Sequence, residues 1–89
     1  LARGYRTPVG EIDIVARRGR TLAVIEVKAR SDLAAAAEAI GPRQRRRILR
    51  ATEQLLQQRP ALAGLDLRFD AMLVAPARPP RHLRDAWRP

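Results

Sequence analysis

The sequence contains no cysteine and a single histidine, His82. Disulfides and thiolate-held zinc are therefore excluded, and one imidazole cannot build a zinc site by itself. Nucleophilic schemes that need Ser-His or Cys-His pairs are poorly supplied for the same reason. Aromatic residues are nearly missing. Tyr5, Phe69 and Trp87 are the only three, too few for a surface that stacks bases, and Phe69 and Trp87 are expected in the core. No apolar run approaches the roughly 20 residues that cross a bilayer, and no signal-peptide pattern opens the chain. A cytoplasmic protein without membrane contact is the expectation. Acidic residues are scarce, nine against eighteen basic ones, for a net charge of +9. Such an excess on a short chain points to a polyanionic partner, nucleic acid before others.

Lysine is the rarest cation: seventeen of the eighteen basic residues are Arg, and only Lys28 is Lys. Abundant Arg and Ala fit a GC-rich coding bias, under which Arg stands wherever any cation serves. Lys28 then marks a place that needs a compact ammonium rather than a planar guanidinium. The 89 residues suffice for one domain with one modest core, and 1–89 reads as a single domain of α/β or α+β type.

Residues 10–16, Gly-Glu-Ile-Asp-Ile-Val-Ala, alternate between two faces. Residues 21–29, Thr-Leu-Ala-Val-Ile-Glu-Val-Lys-Ala, form an apolar, β-branched run expected of a strand covered on both sides. With Arg18-Gly19 as a two-residue turn, residues 10–29 become a hairpin in which Arg17 pairs with Arg20. A short strand at 3–7 precedes it. Residues 31–41 read as a connector with at most a helical turn at Ala34–Ala37. Pro42 opens a helix whose stripe is Ile48, Leu49, Thr52, Leu55 and Leu56, ending near Gln58 or Arg59 before Pro60. Leu67–Ala75 reads as a strand, with Asp70 expected to pair with a nearby Arg, and residues 82–87 as an edge strand anchored by Trp87.

The chemistry lies in Asp13 and Glu26-Val27-Lys28. Glu26 and Lys28 share one face of their strand and interrupt an apolar run. A buried carboxylate and ammonium are costly unless they pair, bind a metal or line a cleft. A lone Glu-x-Lys in a strand is most often a plain ion pair. Asp13 alters that reading. In the expected register it is the diagonal neighbour of Glu26, roughly 7–8 Å away, so two carboxylates can converge on one hard cation with Lys28 a step further on. Glu11 joins the same face, leaving Ile12, Ile14, Ala16, Ala23, Ile25 and Val27 for the core. The second constellation is Arg43, Arg45, Arg46, Arg47 and Arg50 at the start of the helix, where the macrodipole is already positive. A phosphate backbone would reverse that unfavourable term, although such a run also suits a solvated face. His82 is expected exposed or capped rather than as a general base.

Gly10-Glu11-Ile12-Asp13-Ile14-Val15-Ala16 followed by Val24-Ile25-Glu26-Val27-Lys28-Ala29-Arg30 resembles the Asp…Glu-x-Lys signature of the PD-(D/E)XK nucleases. More closely it resembles the YraN-like family of bacterial proteins, regarded as endonucleases distantly similar to archaeal Holliday junction resolvases. Glu38-Ala39-Ile40, the basic helix, Arg68-Phe69-Asp70 and the segment from His82 to Trp87 extend the resemblance over nearly the whole chain. It implies a restriction-endonuclease-like mixed sheet with a central β-hairpin and a flanking helix. It implies Asp13 and Glu26 as metal-binding acids for Mg²⁺ or Mn²⁺, Lys28 as the catalytic lysine and Glu11 as a further acid. The Arg43–Arg50 segment would hold DNA, branched or junction DNA included, and a symmetric homodimer suits cleavage of two strands. Relatives usually begin with a helix carrying another acidic residue. This sequence opens on Leu1, so a nuclease-like domain shortened at its N-terminus is expected. A basic nucleic-acid-binding domain without turnover is the alternative, and a protein-interaction domain with incidental charge the weaker third.

Overall fold

A computed structural model describes residues 2–8 and 10–88. Five strands form one mixed sheet in the order β1-β2-β3-β4-β5. They are β1 (Ala2–Thr7), β2 (Gly10–Arg18), β3 (Thr21–Ala29), β4 (Asp66–Val74) and β5 (Arg81–Trp87), with helices α1 (Leu33–Glu38) and α2 (Pro42–Gln58) between β3 and β4. β3 and β4 run parallel; every other neighbouring pair is antiparallel. A parallel pair needs a long crossover, and the two helices supply it. Among the described residues no helix is long and apolar enough to cross a membrane.

The connector after β3 is more ordered than the sequence suggested. Asp32 caps α1, its carboxylate accepting the Ala35 N–H at 2.7 Å. Pro42 occupies the first turn of α2 after the extended Gly41. The stripe Ile48, Ala51, Thr52 and Leu55 of α2 is buried. It joins Ile12, Val15, Leu22, Val24, Phe69, Ala71, Leu73 and Trp87 in one core, with Ala36 and Ile40 beside it. The rings of Phe69 and Trp87 stack at 5.7 Å.

The hairpin differs from the expected register. Arg18 pairs with Thr21, so the turn residues are Gly19 and Arg20 rather than Arg18 and Gly19. Gly19 has φ +59, which a glycine adopts freely at the first central position of a two-residue turn. The shift preserves parity but moves Asp13 two residues along β3. The ladder runs from Arg18–Thr21 to Ile14–Ile25, and one further step sets Asp13 opposite Glu26 instead of diagonal to it.

The expected apolar core face is also corrected. Ile12 is in the core under the helices, but so are Val15, Leu22 and Val24. Ile12 and Val15 are three residues apart, so strict alternation in β2 slips at Asp13. Ala23 and Ile25 are buried on the other face of the sheet, where Arg18, Arg68, His82 and Arg84 border them. β3 is thus covered on both sides, as its composition required.

Asp70 ties β5 to that second face. It is fully buried. Arg68 donates to it through Nε at 2.9 Å and Nη2 at 3.0 Å, the Asp85 N–H donates at 3.0 Å, and His82 Nε2 lies 2.8 Å away. These contacts bridge the irregular register of β4 with β5 between Phe69 and Ala71 and hold Asp85 at φ +52. Burial alone would raise the Asp70 carboxyl, but Arg68, the Asp85 N–H and His82 hold it below its usual 3.8. Such a group stabilises the fold above its unfolded value, and the contribution is lost as pH falls toward its depressed one. Asp70→Asn should lower unfolding stability at neutral pH by about 2–4 kcal/mol. In urea titrations the gap from the parent protein should close on acidification below pH 4; a gap independent of pH would contradict the charged network.

Candidate functional site

β2, β3 and the first turns of α2 enclose a cleft of about 300 Å³ lined by Gly10, Glu11, Asp13, Glu26, Val27, Lys28, Gln44 and Arg47. Three features of the sequence build it. The slip in β2 frees Asp13 from ordinary pairing, so its Oδ2 accepts the Val27 N–H at 2.9 Å. Glu26 and Lys28, two apart on β3, point the same way, with Lys28 Nζ 3.3 Å from Glu26 Oε2. Finally, Gly10 faces α2 at Arg47 and Ala51, where even a Cβ would stand 3.6 Å from the Arg47 carbonyl, an ordinary contact.

Glu26 is 3% exposed, although it is the only charged member of the Leu22–Glu26 buried run. Its carboxyl is pushed from its usual 4.5 up to about 7. Burial is the largest cause. A hydrogen bond with Asp13 and the Asp13 charge add to it, while Gln44 and Lys28 pull the other way. Two carboxyl groups facing one another across the strands cannot both stay ionised cheaply without a cation between them. Glu11 stands at the mouth of the cleft, half exposed, with Arg6 Nε 3.9 Å from its Oε1.

The five helix arginines divide three ways. Arg47 lines the cleft. Arg43, Arg46 and Arg50 are exposed and, at i, i+3 and i+7, share the outer face of α2. Arg45 is exposed too, but on another side of the helix: its Nε donates to the Ile40 carbonyl at 3.1 Å, and its guanidinium lies 5.7 Å over the Trp87 ring. His82 stands with Asp70 on the second face of the sheet, far in the fold from the acids. Gln44 is the cleft residue that sequence reasoning missed. It donates to Glu26 Oε2 from α2. Its one available signal was position: it falls on the buried side of the helix, four residues before Ile48.

Asp13 and Glu26 fit a hard divalent cation as far as donor chemistry goes. Both are carboxylates, and Mg²⁺ is commonly held by one or two carboxylates with water and substrate oxygens completing its shell. Among the described residues no three acidic or histidine side chains gather into a metal-holding group.

The fold and cleft define a mixed α/β protein with a five-stranded sheet that carries two acids and one lysine between a hairpin and a basic helix. Comparison of sequences gives its family. Residues 1–74 match the model of the uncharacterised protein family UPF0102, and the chain belongs to that family, the YraN-like one that its motifs resemble. A UPF0102 protein of Parvibaculum lavamentivorans is 62% identical over all 89 residues, which span 67% of that relative. One from Caulobacter vibrioides is 48% identical over 98% of this chain and 75% of its own length. One from Rhodopseudomonas palustris is 55% identical, over 98% and 66% respectively.

The raised Glu26 value carries a sign. Folding favours the protonated form, so between pH 4.5 and about 7 the unfolded chain loses its proton first and stability falls as pH rises. In EDTA, urea titrations should show a decline of about 2–3 kcal/mol across that window. Glu26→Gln should flatten it; a slope unchanged by that substitution would place the titration elsewhere.

Proposed function

We propose that this chain is a metal-dependent endonuclease domain of restriction-endonuclease-like fold that hydrolyses phosphodiester bonds in DNA, branched DNA included. The observation that carries the reading is the convergence of Asp13, Glu26 and Lys28 on one cleft below a helix whose outer face is arginine. The strand order supports it as well: an antiparallel hairpin, a helical crossover and a strand parallel to the hairpin's second arm.

In this reading Asp13 and Glu26 hold Mg²⁺ or Mn²⁺, which when bound supplies Lewis-acid stabilisation of charge on the phosphate. Lys28, with its ammonium beside Glu26, orients the attacking water and offers a donor to the developing charge. Arg47 faces the same cleft and meets a non-bridging phosphate oxygen. Arg43, Arg46 and Arg50 hold flanking phosphates, while the guanidinium of Arg45 is engaged by the Ile40 carbonyl and the Trp87 ring. Glu11 lies at the entrance, where it screens Arg6. Basic binding without turnover is the second reading, and one observation favours it: Arg43, Arg46 and Arg50 present an exposed basic face that needs none of the cleft acids.

The deciding experiment is a cleavage assay on linear and branched DNA with Mn²⁺ or with EDTA. Mn²⁺-dependent cleavage is expected, together with a rise in melting temperature on adding Mn²⁺ that Asp13→Asn abolishes. Lys28→Arg should cut the rate about tenfold to a hundredfold with DNA affinity nearly intact, because a planar guanidinium misplaces the donor. Full activity in Lys28→Arg would leave Lys28 as an ion-pair partner only, and DNA binding with no metal response would favour the second reading.

Binding has its own measure. If phosphate contacts dominate, affinity falls by about 0.9 log units per log unit of salt for each phosphate neutralised. Arg46→Ala with Arg47→Ala should then lower the salt slope by about two, whereas Arg45→Ala should leave it unchanged. An unaltered slope in the double variant would remove α2 from the interface.

A further inference from the structure

We propose that Gln44 is a positioning residue of the cleft, fixing the Glu26 carboxylate so that one defined oxygen is presented to a divalent cation. The inference rests on the nuclease reading for its purpose, but its geometry stands on contacts within the chain.

Asp13 and Glu26 each have one oxygen already committed. Asp13 Oδ2 is taken by the Val27 N–H. Glu26 Oε2 takes both the Lys28 ammonium and the Gln44 amide. Asp13 Oδ1 and Glu26 Oε1 are left as the pair that a shared cation, or a shared proton, can use. The two donors on Oε2 are not equivalent. Lys28 is a point charge on a flexible stem, and it neutralises part of the carboxylate charge. Gln44 carries no net charge; its amide fixes the direction of that oxygen and, as a donor, favours the ionised carboxylate that a cation needs. It also approaches from a different element. Lys28 shares β3 with Glu26 and cannot hold that strand's side chain against the rest of the fold, whereas Gln44 reaches down from α2.

That helix is locked in depth and rotation. Ile48, Ala51 and Leu55 are buried beneath it, and Gly10 of β2 faces it at Arg47 and Ala51. Gln44 lies four residues before Ile48 on the same side, so packing of the helix sets where its amide falls. The arrangement matches the usual construction of metal sites, in which an outer partner orients each ligating group and its loss weakens binding or activity about tenfold to a hundredfold. The partner of Asp13 is a backbone N–H; the partner of Glu26 is a side chain and can be changed.

The test uses Gln44→Leu, which keeps shape and loses the donor, and the 89-residue protein. First, in EDTA, the Gln44 side-chain amide protons should be shifted and protected from solvent exchange compared with those of exposed Gln57. Glu26→Ala should remove both effects. Amide protons of Gln44 that exchange like those of Gln57 would overturn the contact. Second, Mn²⁺ binding followed by electron paramagnetic resonance should weaken about tenfold or more in Gln44→Leu, with kcat falling by a similar factor and KM for DNA unchanged. Equal Mn²⁺ affinity in Gln44→Leu and the parent would overturn the positioning role, as would a change confined to KM. A parent protein that neither binds Mn²⁺ nor cleaves DNA would instead sink the nuclease reading, and the exchange measurement would still decide whether Gln44 holds Glu26.

Discussion

Burying a carboxylate in the central part of a sheet is expensive, and Glu26 does this on β3, directly after four buried residues. What surrounds it follows from that cost. One oxygen is met by an ammonium from the same strand and an amide from the helix above. The neighbouring strand leaves its ladder so that a second acid can stand opposite. The alternation of side chains along β2 is broken at Asp13, between the buried Ile12 and the buried Val15. Local regularity is given up at the place where charge is concentrated, a pattern expected of functional rather than purely structural sites.

Asp70 solves the same physical problem to a different end. It is even more completely buried, but four donor contacts surround its two oxygens. Its carboxyl is held below its ordinary range, where that of Glu26 is pushed above. The contrast separates their roles. A fully satisfied carboxylate fastens β5 to the sheet and has no capacity left for a ligand. In the proposed reading, Asp13 and Glu26 keep oxygens for a cation instead. His82, bound to Asp70, belongs to the fastening and not to the cleft.

The arginines show how far a charge run can mislead as a unit. Five cations within eight residues of α2 look like one surface in the sequence. The helix distributes them by angle, so Arg45, though exposed, lies over the Trp87 ring and Arg47 lines the cleft. Arg43, Arg46 and Arg50 remain as the outer face, along which a phosphate backbone can lie.

Composition and short-range pattern determined the strands, the long helix, the hairpin and the grouping of Asp13, Glu26 and Lys28, because period-two alternation and the cost of charge in an apolar run are local properties. Parity survived even where the register did not: moving the turn from Arg18-Gly19 to Gly19-Arg20 displaced the pairing by two residues and kept all three side chains on one face. Tertiary structure alone decided the rest. Only packing could show that Ile12 shares a core with Val15, since strict alternation would put residues three apart on opposite faces. Only the depth and rotation of α2 could bring Gln44 to Glu26, eighteen residues away in sequence. That contact depends on where two elements meet, and no spacing within either one encodes it.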